Sequence, residues 1–135
     1  MAAIILSALL CGSAFAQSGE QKTPTPQELA EAETTRLETL LDLEPWQAFY
    51  VDSTLQHDYA ALEEEFKDLQ KSKVANYDVY MAIRDKWADK IDESFRKYFN
   101  EDQWKLYLKN GAARQQKQRA KRREKAAKAA AKEAK

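Results

Sequence analysis

From Trp46 to Asn110 the chain contains neither glycine nor proline. A stretch of that length without a breaker favours long helices, because strand turns would need the residues it lacks. The apolar spacing agrees. Ala48, Val51, Leu55, Tyr59, Leu62, Phe66 and Leu69 recur at intervals of three and four, which predicts a helix from Pro45 to about Ser72. A break at Ser72 to Ala75 leads to Asn76, a good N-cap. A further stripe follows: Val79, Ile83, Trp87, Ile91, Phe95 and Tyr98. So short a loop makes these two helices an antiparallel hairpin.

Upstream, Thr25-Pro26-Gln27-Glu28 combines an N-cap, a proline at the first helical position and a capping-box glutamate. The helix it opens carries Leu29, Ala32, Leu37, Leu40 and Leu41. It ends near Asp42, because Pro45 disfavours helical geometry at Glu44. A fourth helix opens after Asn100 and is expected to bury Trp104, Tyr107 and Leu108. The expected fold is all-α: one four-helix domain over residues 26–110, built from thin helical hairpins, with a basic C-terminal tail over residues 111–135.

The two ends differ in kind. Ala2 to Leu10 is an apolar run too short to span a bilayer, and Ala14-Phe15-Ala16 has the small-x-small pattern of a signal-peptidase site. Residues 1–16 therefore read as a signal peptide and 17–25 as a flexible linker, and a soluble periplasmic protein is expected. The run lacks the preceding Lys or Arg such signals carry. Cys11, the one cysteine, follows Leu9 and Leu10, where a lipidation site wants small residues. At the other end, the zero net charge of the 135 residues hides two opposed blocks. Glu20 to Lys109 holds 20 acidic and 12 basic side chains, a balance of −8, and Asn110 to Lys135 holds 2 and 10, a balance of +8. The tail has high helix propensity but no apolar stripe, so it is expected to be helical only in part, or only when bound.

Two segments repeat a pattern. Leu43-Glu44-Pro45-Trp46-Gln47 and Phe99-Asn100-Glu101-Asp102-Gln103 each place an apolar residue, a polar cap, two spacers and a glutamine at a helix start. The glutamine can reach back to the cap's N–H while the cap accepts the glutamine's own. Asn100 is the stronger cap and Glu44 the weaker, and Phe99 can staple onto Trp104. In these segments the chain resembles the Spy/CpxP family of periplasmic helical proteins, marked by two Leu-Thr-x-x-Gln motifs. Gln47, Gln103 and Leu43 match; Glu44 and Asn100 stand in place of the threonines, and Phe99 in place of the second leucine. The resemblance implies a thin, curved, antiparallel dimer acting as an ATP-independent chaperone or envelope-stress factor. It also implies that the two glutamines are structural. The well-known members carry a positively charged concave face, whereas this body is acidic.

The remaining chemistry points away from catalysis. His57, the one histidine, has Ser53, Thr54, Ala60 and Ala61 at the helical positions where a second metal ligand would stand. No cysteine or histidine pair supports a nucleophile, and no glycine loop cradles a phosphate. No metal, cofactor or enzymatic activity is expected. Carboxylates such as Asp52 and Asp58 are what any acidic helix offers. The aromatic residues are the candidate binding surface: Trp46, Phe49, Tyr50, Trp87 and Trp104 form either a dimer interface or a groove for apolar client segments. Both readings call for a homodimer, since so small a body cannot cover them all.

The tail residues Arg114, Lys117, Arg119, Lys121, Arg122 and Arg123 admit three roles. They can neutralise the acidic body, hold anionic lipid or lipopolysaccharide, or contact nucleic acid, the last disfavoured by the export signal. The expected function is an ATP-independent periplasmic chaperone for unfolded or envelope proteins. The alternative is an adaptor whose tail binds an anionic envelope surface.

Overall fold

A computed structural model describes residues 22–135. The expected signal peptide and the first half of the linker lie outside the described residues. The elements among them are all helical: α1 (Pro26–Leu41), α2 (Pro45–Lys71), α3 (Tyr77–Tyr98), α4 (Glu101–Tyr107) and α5 (Ala113–Glu133). The all-α class and the four helices expected before the tail are thus present. None of the helices is long and apolar enough to cross a membrane.

The start of α1 is set by reciprocal bonds. Glu28 N–H donates to Thr25 Oγ1 at 3.1 Å, and Thr25 N–H donates to Glu28 Oε2 at 2.7 Å. Its end turns on Asp42, which adopts left-handed geometry at φ 50° and donates its N–H to Glu38 O. The buried face of α1 is Ala30, Thr34, Leu37 and Leu41, rather than the stripe beginning at Leu29 and Ala32. Leu29 remains 47% exposed. The stripe was misplaced because Thr34 counts as polar. Its hydroxyl reaches Asp52 Oδ1 on α2 at 3.5 Å, so it can stand inside a face of spacing four, three, four.

The core lies where the α1–α2 turn meets the end of α3. Leu37, Leu41, Leu43, Val51, Leu55, Phe95 and Phe99 are buried there, with Leu40, Tyr59, Ile91, Tyr98, Trp104 and Tyr107 packed around them. Full burial of Leu37, Leu55 and Phe95 stabilises by roughly 1.5–3 kcal/mol each. Trp104, Tyr107 and Leu108 of the fourth helix and its exit are only half-buried. Phe99 meets Tyr107 edge-on at 5.6 Å, and Trp104 lies 5.5 Å from the same ring, so Tyr107 is the hub of this cluster.

With Thr34 opposite Asp52, the C-terminal half of α2 extends beyond the reach of α1. There α2 and α3 form a two-helix projection, held by Phe66 against Tyr80 at 5.2 Å and by Tyr80 Oη donating to Val74 O at 2.8 Å. Leu62, Phe66, Leu69 and Ile83 are half-buried along it. Lys73 closes the loop at φ 56°, with Val74 N–H on Leu69 O at 2.9 Å. The like charges Glu64 and Asp68, unhelpful to each other, lie near Lys67 at 3.2 Å and Lys71 at 3.4 Å respectively.

Between α4 and α5 the helix is broken at Leu108–Ala112. Gly111 takes φ 118°, open to glycine and strained for any residue with a Cβ. The expectation of a tail helical only in part is corrected here: α5 is a continuous helix of 21 residues that packs its first half antiparallel against α3. Apolar counting missed what it had to bury. Arg119 is 4% exposed, and its burial is paid for by aspartates on α3.

Candidate functional site

The two repeated motifs meet. Each glutamine accepts its own cap's N–H, Glu44 N–H on Gln47 Oε1 at 2.9 Å and Asn100 N–H on Gln103 Oε1 at 3.0 Å. Each then donates to the other: Gln47 Nε2 to Gln103 Oε1 at 2.7 Å, and Gln103 Nε2 to Gln47 Oε1 at 3.0 Å. The second proton of each amide goes to a carbonyl closing the preceding helix, Tyr98 O at 2.8 Å from Gln47 and Leu41 O at 3.3 Å from Gln103. A pseudo-twofold knot of two amides thus joins the end of α1, the start of α2, the end of α3 and the start of α4. Both side chains are buried and fully bonded, which is the condition under which a polar group stabilises a core. Leu43 and Phe99, the leading apolar residues, are buried beside them.

The two caps are unequal. Asn100 Oδ1 accepts Gln103 N–H at 2.9 Å, whereas Glu44 turns its carboxylate to the indole N–H of Trp46 at 2.5 Å. A shallow depression of about 470 Å³ lies over the joint, bordered by Asp42, Glu44, Trp46 and Tyr98.

Beside this depression stand the exposed aromatics. Phe49 is 67% exposed, Trp46 50% and Tyr50 49%. Trp46 and Phe49 each meet Tyr50 edge-on, at 6.2 and 5.7 Å, and Tyr50 stacks on Tyr98 at 5.4 Å. Tyr98 is fixed in turn by its hydroxyl on Thr54 Oγ1 at 3.0 Å. Tyr50, which both other rings meet, is thus supported from beneath. Trp87 and Trp104, grouped with these residues from sequence, stand elsewhere. Trp87 is buried between α2 and α3, donates to Glu65 Oε1 at 2.9 Å and carries Lys90 4.3 Å from its ring centroid. Trp104 is half-buried under the Arg96 guanidinium. The hydrogen bond from Lys86, joined by that from Trp87, holds the Glu65 carboxyl below its usual range. His57 is exposed and lies 2.7 Å from Asp58. Among the described residues no group of three or more His, Cys, Asp or Glu side chains is placed to hold a metal.

The tail residues divide into two sets. The buried Arg119 and the exposed Arg122 and Arg123 turn toward Asp85, Asp89 and Asp92, one acidic stripe of α3. Arg122 bonds Asp85 through two nitrogens at 2.7 and 2.8 Å, and Arg119 bridges Asp89 and Asp92. Burial works against the Arg119 charge, but the two aspartates outweigh it and raise its pKa. Asp92 also accepts Gln116 Nε2 at 3.1 Å and Tyr107 Oη at 2.7 Å. Burial first, and the Asp92 charge second, push the Tyr107 phenol well above its ordinary value. Arg114, Lys117 and Lys121 remain exposed. The aspartate stripe and Tyr107 were absent from the sequence-based site. The stripe's signal was the helical spacing of Asp85, Asp89 and Asp92, which, read antiparallel, faces the helically spaced Gln116, Arg119, Arg122 and Arg123.

No family model, curated protein or solved structure matches the chain.

Proposed function

We propose that the chain is a binding protein that holds exposed apolar segments of unfolded or envelope proteins without ATP, in the periplasm and as a homodimer, in the manner of the Spy/CpxP family it resembles. The carrying observation is the patch of Trp46, Phe49 and Tyr50, three large aromatics left exposed side by side on a protein with a small core. The rim is acidic at Asp42 and Glu44, which favours client segments carrying Lys or Arg beside their apolar residues. The knot of Gln47 and Gln103 fixes the helices that bear the patch and does not itself touch the client. Trp87 and the inward arginines serve the fold.

The test is suppression of aggregation of an unrelated unfolded protein, read by light scattering without nucleotide. Phe49→Ser with Tyr50→Ser should weaken protection several-fold at unchanged helicity. Protection that is absent in the unsubstituted protein, or indifferent to that pair, overturns the reading.

A further inference from the structure

Nine of the tail's ten cations lie on α5, which sorts them into two faces, one paired with α3 and the other turned outward. Arg119, Arg122 and Arg123 face α3 and are paired. Arg114, Lys117, Lys121, Lys125, Lys128 and Lys132 recur at spacings of three, four, four, three and four, and all are exposed. At 3.6 residues per turn these six fall within an arc of about 80°, centred nearly opposite the arginines. Over 18 residues they make a straight row about 27 Å long. Lys128 alone has a partner there, Glu124 at 2.7 Å.

We propose that this outward lysine row is a docking surface for a bilayer bearing anionic lipid headgroups, with the arginine seam holding the row pointed away from the body. It stands independently of the client-holding reading. Charge complementarity selects the occupant. Alanine, with Glu133 but no large apolar residue, fills the remainder of the distal half, from Ala126 to Ala134, so the helix would lie on headgroups rather than insert. A planar array of headgroups meets all six cations together, which suits lysine as a point charge. A nucleic-acid duplex presents its phosphates along a spiral that a straight row crosses only locally, and no base-reading side chains accompany the row. A second copy is a poorer fit, because the acidic stripe that suits α5 is already filled by its own arginines.

Flotation of the full chain with vesicles tests this, using phosphatidylcholine containing about one-third phosphatidylglycerol against phosphatidylcholine alone. Each cation near such a surface is worth roughly a five-fold change in partitioning, so Lys121→Gln, Lys125→Gln and Lys128→Gln together should cost on the order of a hundred-fold. Lys67→Gln, Lys71→Gln and Lys73→Gln, which remove the same charge from the α2 end, should cost far less. All variants share the N-terminal segment, so any apolar contribution from it cancels. The proposal is overturned if the two triple variants bind alike, if phosphatidylglycerol makes no difference, or if the full chain prefers a short DNA duplex to the anionic vesicles. Circular dichroism must show α5 intact in both variants; should the α5 triple lose helicity, Lys→Arg at the same three positions, which keeps charge, must restore binding.

Discussion

At the residue scale, the two glutamines illustrate how a local device becomes a tertiary one. A capping box requires only that Gln47 reach Glu44 and that Gln103 reach Asn100. Here each amide has further bonds to give, and the other glutamine takes them. Gln47→Leu keeps the volume but strands the Glu44 N–H, the Tyr98 carbonyl and one side of the Gln103 amide. It should destabilise by about 2–4 kcal/mol in urea unfolding. Gln47→Leu with Gln103→Leu should cost less than the sum of the two single changes, since both break the same pair. Both motifs were legible in the sequence, and so was the structural role of the glutamines. Their meeting was not, because the residues lie 56 positions apart and nothing local specifies that the two helix starts face each other. Tyr107 carries a second prediction. Its folded pKa is raised above the ordinary 10.0, so the protonated form is bound more tightly in the native state. The associated stability is complete below pH 10 and is lost as pH rises through the folded value. Urea midpoints should therefore fall on the alkaline side, and Tyr107→Phe should flatten that fall while lowering stability near neutrality by about 1 kcal/mol.

At the scale of elements, α2 and α3 were readable because their apolar residues keep helical spacing, and α1 was readable in extent but not in face. The face of α1 was misassigned by the positions where burial and hydrophobicity part company, a buried Thr34 and an exposed Leu29 and Ala32. The same substitution of polar contacts for apolar ones hid α5. A helix with nothing apolar to bury can still dock when its arginines match an aspartate stripe, provided every donor is satisfied. Arg119 is the centre of that seam. Arg119→Ala leaves Asp89 without one of its two cations and Asp92 with only Gln116 and Tyr107. The expected cost is about 1.5–3 kcal/mol in thermal unfolding, with loss of helical signal from α5. Lys117→Ala, two residues away on the opposite, exposed face, should change stability by less than about 0.5 kcal/mol. Equal effects of the two substitutions would mean that α5 is not held by the seam.

For the whole molecule, the decisive quantity is the division of charge, −8 from Glu20 to Lys109 against +8 from Asn110 to Lys135. Sequence made the imbalance plain without saying whether the blocks attract within one chain, and the α3–α5 seam supplies that relation. It fixes the sign of a salt effect. In the full chain the blocks attract, so added salt screens a favourable interaction and should lower the melting temperature. Truncation after Gly111 removes the cationic block and leaves Asp85, Asp89 and Asp92 facing solvent on a body that repels itself. There salt screens an unfavourable interaction, and the melting temperature should rise. Surface pairs contribute little singly, so the contrast must come from the collective field and from the partly buried Arg119. Between about 0.05 and 0.5 M sodium chloride the Debye length shortens from roughly 14 to 4 Å, below the separation of charges on opposite sides of α5. Calorimetric scans of the two proteins over that range should thus give slopes of opposite sign. Parallel slopes would show that α5 is not electrostatically bound to the body, and the lysine row would lose the support that aims it outward.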